Sequence, residues 1–187
     1  MPSTLILVNG LPGTGKSTLA DKLSRDLALP MLGKDMLKEW LFDSLDMQAT
    51  EENIALIGKV SSHMLQVFME DLLADGQSVI AENAYVAAFA REELGKIMAR
   101  VGEAICIEIY CTTDVEENRR RFEDRINNGA RHNVHLNVDG SFLAEHETQK
   151  KYEPLNIGKT IQVDTTHFAD VEYEELLNGL REELANA

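Results

Sequence analysis

Gly10-Leu11-Pro12-Gly13-Thr14-Gly15-Lys16-Ser17 decides how this chain is read, because it matches G-x-x-x-x-G-K-[ST] without a mismatch. Leu5-Ile6-Leu7-Val8 before it is a short apolar run of buried-strand type. The residues after it, from Thr18 on, carry leucines at 19, 23 and 27, a helical spacing. The motif therefore sits between a strand and a helix, the context its chemistry needs. Gly10, Gly13 and Gly15 open backbone torsions closed to other residues and let N–H groups approach phosphate oxygens, with Leu11, Pro12, Thr14 and Thr18 completing the cradle. The helix that begins near Lys16 turns its positive dipole end toward the same oxygens. Lys16 supplies a mobile cation for the β- and γ-phosphates, and Ser17 a hydroxyl for Mg²⁺.

Composition bounds the rest. A chain of 187 residues fits one domain, 1–187, with a core of useful size. Hydrophobic content of 44% and charged content of 27% are ordinary for a soluble globular protein. No apolar run approaches the length of a membrane span and no secretory signal opens the chain, so a cytoplasmic location is expected. Acids outnumber bases 32 to 18, which argues against long nucleic acid as a partner. The positive charge is nonetheless concentrated: five of the nine arginines fall between Arg119 and Arg131, as expected if they meet a small polyanion such as ATP. Cys106 and Cys111 share one apolar run at an odd separation, which puts them on opposite faces of a strand as buried, unpaired thiols.

Along the chain, strands and helices alternate. A second strand is expected at 29–32, a helix from 33 to about 45, and a long amphipathic helix from about 51 to 74. A third strand at 78–81 ends in Glu82-Asn83, followed by a helix over 87–101. A fourth strand at 104–110 leads to a helix capped by Thr113 or Asp114 that holds Arg119 to Arg125. Residues 130–148 are polar and weakly periodic and read as a mobile lid with a short helix, the whole lid covering about 126–148. A fifth strand at 160–163 and an acidic helix at 171–185 close the chain. The alternation implies an α/β fold with a five-stranded parallel sheet, helices on both faces, and a lid.

Several residues outside the loop are candidates for chemistry. Asp35 follows the second strand at the sheet edge that carries the loop, placed either to cap a helix or to accept the proton of an attacking hydroxyl. Lys38, one turn on, is placed either to bind an anionic part of a substrate or to stand as an ordinary exposed lysine. Asn83 ends the third strand at the same edge, as a ligand for a substrate hydroxyl or as a strand-end turn residue, and Arg91, about two turns on, either returns to that pocket or lies in solvent. Arg121 and Arg125 share one helix face, while Arg119 and Arg120 point elsewhere, toward surface ion pairs. A lid that carries Arg125 or Arg131 over the phosphates stabilises the charge of phosphoryl transfer and excludes water. His132 and His135 read as polar lid residues rather than zinc ligands, since no Cys or third His stands near. Trp40 is expected to pack in the core or line a pocket.

With these residues in hand, the chain resembles the small P-loop kinases, among them gluconate kinase, chloramphenicol phosphotransferase, the zeta-toxin kinases and the kinase domain of polynucleotide kinase. The likeness is carried by Gly10 to Thr18, Asp35 with a basic residue three on, Asn83, Arg121-x-x-x-Arg125, Gln149 with Tyr152-Glu153-Pro154, and Asp164-Thr165. It implies a P-loop NTPase fold of three layers, with ATP and Mg²⁺ as cofactors. It implies that Asp35 is the general base, that Lys16 and Arg125 stabilise the transferring phosphoryl group, and that Arg121 contacts the adenine or the phosphates. Two positions depart from relatives: Lys38 stands where polynucleotide kinases usually have arginine, and Glu82-Asn83 where many have an aspartate. The expectation is an ATP-dependent kinase acting on a hydroxyl of a small molecule. Its rivals are a nucleoside, nucleotide or polynucleotide 5′-hydroxyl kinase, and a nucleotide-hydrolysing switch without an acceptor.

Overall fold

A computed structural model describes residues 2–129, 131–135 and 140–186. Five strands, β1 (Thr4–Gly10), β2 (Met31–Gly33), β3 (Val79–Glu82), β4 (Ile105–Thr112) and β5 (Lys159–Asp164), form one all-parallel sheet in the order β2-β3-β1-β4-β5. The helices are α1 (Lys16–Leu27), α2 (Lys34–Ser44), α3 (Glu51–Ala74), α4 (Ala87–Val101), α5 (Val115–Asn127), α6 (His146–Lys151) and α7 (Tyr173–Asn186), with 3₁₀ turns at Gly140–Ala144 and Phe168–Asp170.

The middle of the sheet is buried on both faces, as parallel sheets require, while β5 at its edge buries only Val163. Every residue of the central strand β1 is buried, and its alternation divides the core. Leu5 and Leu7 pack with Leu65 and Met69 of α3 and Leu94 and Ile97 of α4. Ile6 and Val8 pack on the other side with Leu19 and Leu23 of α1 and Leu177 and Leu180 of α7. Cys106 belongs to the first cluster and Cys111 to the second, so the two free thiols do lie on opposite faces of β4. Burial pushes each of them up to about 12.

A buried carboxylate ties three parts of this frame together. Glu108 of β4 accepts from Asn9 Nδ2 (2.9 Å), from the N–H groups of Leu155 (2.9 Å) and Asn156 (3.0 Å), and from the Thr160 hydroxyl (3.1 Å). Four donors from three segments satisfy the carboxylate that burial would otherwise make costly. Asn9 in turn accepts the N–H of Tyr85 at 3.1 Å, which fixes the chain leaving β3.

Local signals place most boundaries. Asp114 caps α5, accepting from Glu116 N (2.9 Å) and Glu117 N (3.2 Å), and Thr50 caps α3 through Asn53 N (3.2 Å). The second strand begins later than its apolar run suggests. Leu29 N bonds back to Ser24 O (3.1 Å) and so belongs to the close of α1, and pairing starts where Pro30 O receives Ile80 N (2.9 Å). Trp40 corrects an expectation. It is 65% exposed on α2, because the buried face of that helix is taken by Lys38 and Phe42. The expected lid lies partly outside the described residues, at 130 and 136–139. Of its described parts, 131–135 packs against α2 and α3: Val134 is buried with Phe42, Ile54 and Ile57, His132 Nε2 lies 3.1 Å from Asp43, and His135 Nε2 lies 2.8 Å from Glu39. Among the described residues no helix is long and apolar enough to cross a membrane.

Candidate active site

The loop between β1 and α1 is built for anions. Gly15 precedes α1 in a left-handed conformation with no side-chain cap, so the first-turn N–H donors stay available to phosphate oxygens. Gly13 has φ 94°, and a Cβ there would lie 2.0 Å from Asn118 Oδ1 of α5. Torsion and space both demand glycine. The Thr14 hydroxyl donates to Leu11 O at 2.9 Å and closes the turn.

Lys16 is only 6% exposed and donates to the same Leu11 carbonyl at 2.8 Å. Burial lowers its pKa, opposed above all by Glu82 and then by Cys111 and Asp35, while Arg125 adds to the lowering. Glu82, also 6% exposed, is raised by burial; Lys16 opposes that shift, and Ser17 beside the carboxyl favours its ionised form. Lys16, Ser17, Glu82, Asp35 and Arg125 therefore stand within electrostatic reach of one another.

The far wall is fixed through the end of β5. Thr165 reaches back to the carbonyls of Thr14 (2.6 Å) and Thr112 (2.8 Å). Arg121 of α5 donates to Thr165 O (2.9 Å) and Thr166 O (2.7 Å) and pairs with Glu117 (2.7 Å). Arg125, one turn on, is exposed, with its Nε 3.4 Å from Arg121 O. Arg119 and Arg120 form surface pairs with Glu123, Glu117 and Asp124. Phe168 packs against Gly15, where a Cβ would lie 2.5 Å from its ring.

On the near side, α2 starts after Gly33 with no side-chain cap, and Asp35 sits in its first turn. The Asp35 carboxyl is exposed and makes no hydrogen bond or ion pair among the described residues, so it is not serving as a helix cap. Its charge acts on Lys16, Lys38, Arg131 and His135, placing it amid the basic groups of α1, α2 and the loop after α5. Asn83 and Lys34 border a cavity of about 190 Å³ between α3 and α4, with Ser62, Gln66 and Phe89.

Of the candidate catalytic and binding residues outside the loop, Asp35, Lys38, Asn83, Arg121 and Arg125 lie around this edge and one does not. The exception is Arg91. Its guanidinium donates to Glu153 (2.8 Å), Pro154 O (2.8 Å) and Leu155 O (3.1 Å), and three acceptors in one segment hold it away from the pocket. Asn118 and Phe168 shape the loop without a sequence signal of their own, because only the fold brings them to Gly13 and Gly15. Among the described residues no group of three or more His, Cys, Asp or Glu stands ready to hold a metal by itself.

A phosphate loop on the first strand of a 2-3-1-4-5 parallel sheet, a carboxylate after β2 and arginines on the helix after β4 define a kinase-like P-loop fold. The chain belongs to the AAA domain family, whose model matches residues 5–148. No curated protein matches the sequence. Among solved structures, a protein provisionally named a kinase from Chloroflexus aurantiacus J-10-fl is 27% identical, with a TM-score of 0.85 and coverage of 99% of this chain and 97% of that one. A gluconokinase from Sinorhizobium meliloti 1021 shares the fold at 18% identity (TM-score 0.57, 99% and 95% covered). So does the APS kinase of Mycobacterium tuberculosis in complex with AMPPNP and APS at 20% identity (TM-score 0.60, 100% and 98% covered).

Proposed function

We propose that the protein transfers the γ-phosphate of ATP to a hydroxyl of a small molecule. The observation that carries this reading is the exposed Asp35 carboxylate, unbonded among the described residues, at the edge where Lys16 and Arg125 meet. A residue committed to capping α2 would be occupied; this one is available to an incoming hydroxyl. In the proposed reaction Asp35 accepts the hydroxyl proton, the freed oxygen forms a bond to the γ-phosphorus, and the bond to the bridging oxygen breaks, leaving ADP. Loop N–H groups and Lys16 hold the phosphates, Arg125 meets the charge that develops on the moving group, and Arg121 borders the adenine or the phosphates. Asn83 and Lys38 contact the acceptor.

The donor set suits Mg²⁺, since Ser17 offers a hydroxyl and Glu82 beside it a carboxylate, both hard oxygen ligands. When bound, the ion would neutralise phosphate charge. A cytoplasmic setting, where ATP is abundant, agrees with this reading.

The test is transfer from γ-labelled ATP, with Mg²⁺, to a panel of sugars, sugar acids, nucleosides, aminoglycosides and short oligonucleotides. Asp35→Asn runs beside the wild type. Transfer to one class, reduced roughly 10²–10⁴-fold in the variant with ATP affinity retained, is expected. Label released only as phosphate, equally in both proteins, would replace this reading with a nucleotide-hydrolysing switch.

A further inference from the structure

We infer that the groove between β5 and α7 takes an extended, basic polypeptide segment, which pairs with the outer edge of β5 as an added strand. The groove lies at the opposite edge of the sheet from β2 and Asp35, so the inference stands apart from the kinase reading.

The two edges of the sheet differ in what they offer. β2 is only three residues long, which leaves little backbone for another chain to pair with, whereas β5 runs for six. β5 pairs with β4 without interruption from Lys159 to Asp164, so no bulge turns its outer edge away, and no proline stands in it. Peptide groups point to alternate edges along a strand. The Thr165 N–H donates to Thr112 O at 2.8 Å, so the odd-numbered residues of β5 serve β4, and the N–H and C=O of Gln162 point outward. Lys159, at the start of the strand, is the kind of charge that blunts an edge, but its ammonium is held by Glu183 of α7.

Beyond this edge lies an open groove of about 1030 Å³, far larger than the cavity of about 190 Å³ beside Asn83. Ile161, Val171 and Leu176 give it an apolar floor. Its far wall is one face of α7. Tyr173, Leu177 and Leu180 turn to the sheet, which leaves Glu175, Gly179 and Glu182 toward the groove. Nothing lies within 4 Å of where a Cβ on Gly179 would stand, so the wall leaves width for a chain to lie beside it. From Glu172 to Glu182 the wall runs ~15 Å, the length of about five extended residues.

Charge decides what fills the groove. Asp164, Asp170, Glu172, Glu175 and Glu182 line it, against Lys159 alone. The carboxylates of Asp170, Glu172, Glu175 and Glu182 make no hydrogen bond or ion pair among the described residues. They are strung along the groove rather than gathered at a point, and no group of three or more such residues is placed to hold a metal among the described residues. A second copy of this chain fits poorly. Antiparallel pairing of β5 with its own copy would set the acidic wall against itself, on a chain already at net charge −14. A strand with lysine or arginine at every second position fits on both counts. Its backbone completes the hydrogen bonds of the β5 edge, and its alternate side chains reach the carboxylates of α7.

The experiment titrates the whole chain into labelled peptides and follows fluorescence anisotropy. The probes are an alternating lysine–valine peptide, an alternating glutamate–valine peptide, and the lysine–valine peptide with its amides N-methylated. Gly179→Leu fills the groove while improving a helix position, so folding is preserved. The double variant Glu175→Gln, Glu182→Gln removes charge and keeps shape. Expected is saturable binding of the lysine–valine peptide, about tenfold weaker in each variant, lost on N-methylation and absent for the glutamate–valine peptide. No saturable binding by the wild type overturns the inference. So does binding that neither N-methylation nor Gly179→Leu weakens, which would be loose attraction to an acidic surface. A wild type that sediments as a dimer, and as a monomer after Gly179→Leu, would give the groove to a second copy and overturn it as well.

Discussion

The Thr165 hydroxyl oxygen lies 2.6 Å from the carbonyl oxygen of Thr14, across 151 residues of sequence, and so pins the end of β5 to the phosphate loop. The same oxygen lies 2.8 Å from Thr112 O and 2.7 Å from the Thr113 hydroxyl, and the residue is fully buried. Thr165→Val keeps the shape and removes the hydrogen bonds. It is expected to destabilise the fold by ~1–3 kcal/mol, because the Thr14 carbonyl loses the hydroxyl that reaches it, while Thr112 O keeps the Thr165 N–H at 2.8 Å. It should also raise KM for ATP more than it lowers kcat. Urea denaturation and nucleotide titration check the two parts separately.

Gly13→Ala tests whether the loop is as tightly enclosed as its geometry requires. The added methyl meets Asn118 Oδ1 at 2.0 Å and forces a side chain into φ 94°. Loss of ATP binding is expected. Pairing it with Asn118→Ala relieves the contact but not the torsion, so the double variant should recover only part of the affinity, a coupling that a double-mutant cycle measures.

Glu82 predicts a pH dependence of stability. Burial raises its pKa in the folded state, so its favourable contribution is fully present below the unfolded carboxyl pKa and is lost as pH rises through the folded one. Removing the charge should therefore help the fold where the carboxyl is ionised. Glu82→Gln is expected to melt higher than wild type near neutral pH, with the gap closing toward pH ~4. A gap that widens on acidification would contradict the assignment.

Arg91→Ala separates a structural arginine from a substrate-binding one. Its guanidinium straps the segment at 153–155, but it is 42% exposed, which limits the worth of its ion pair. A loss of about 1 kcal/mol in denaturant unfolding is expected. Relative kcat/KM across acceptors should stay unchanged, since Arg91 is absent from the lining of the cavity beside Asn83.

The phosphate loop and its flanks were legible because they are local: a run of glycines, a strand before and a helix after, each with its own period. The same holds for the Asp114 cap and for the opposite faces of Cys106 and Cys111, which follow from strand alternation. Asp35, Lys38 and Asn83 were legible as places on the sheet edge, since strand ends and helix starts can be counted along the chain. Arg91 was not, because its partners at 153–155 are more than 60 residues away and nothing in its helix announces them. Trp40 misled for a related reason. Its size suggests a core residue, but the inward face of α2 was already assigned to Lys38 and Phe42. The contacts of Asn118 with Gly13 and of Phe168 with Gly15 arise only once distant elements pack.

The four donors converging on Glu108 have a consequence for motion. They cross-brace β1, β4 and the approach to β5, and through Asn9 they reach the chain behind Asn83. The floor beneath the proposed nucleotide and acceptor site is thereby braced as one plate. Any opening that admits substrate falls to the rim, where two histidine–carboxylate contacts and the Val134 side chain fasten the 131–135 segment to α2 and α3. Hydrogen exchange should accordingly run fast along that rim and slow in the plate, with protection dropping at the edge of the site long before the sheet gives way.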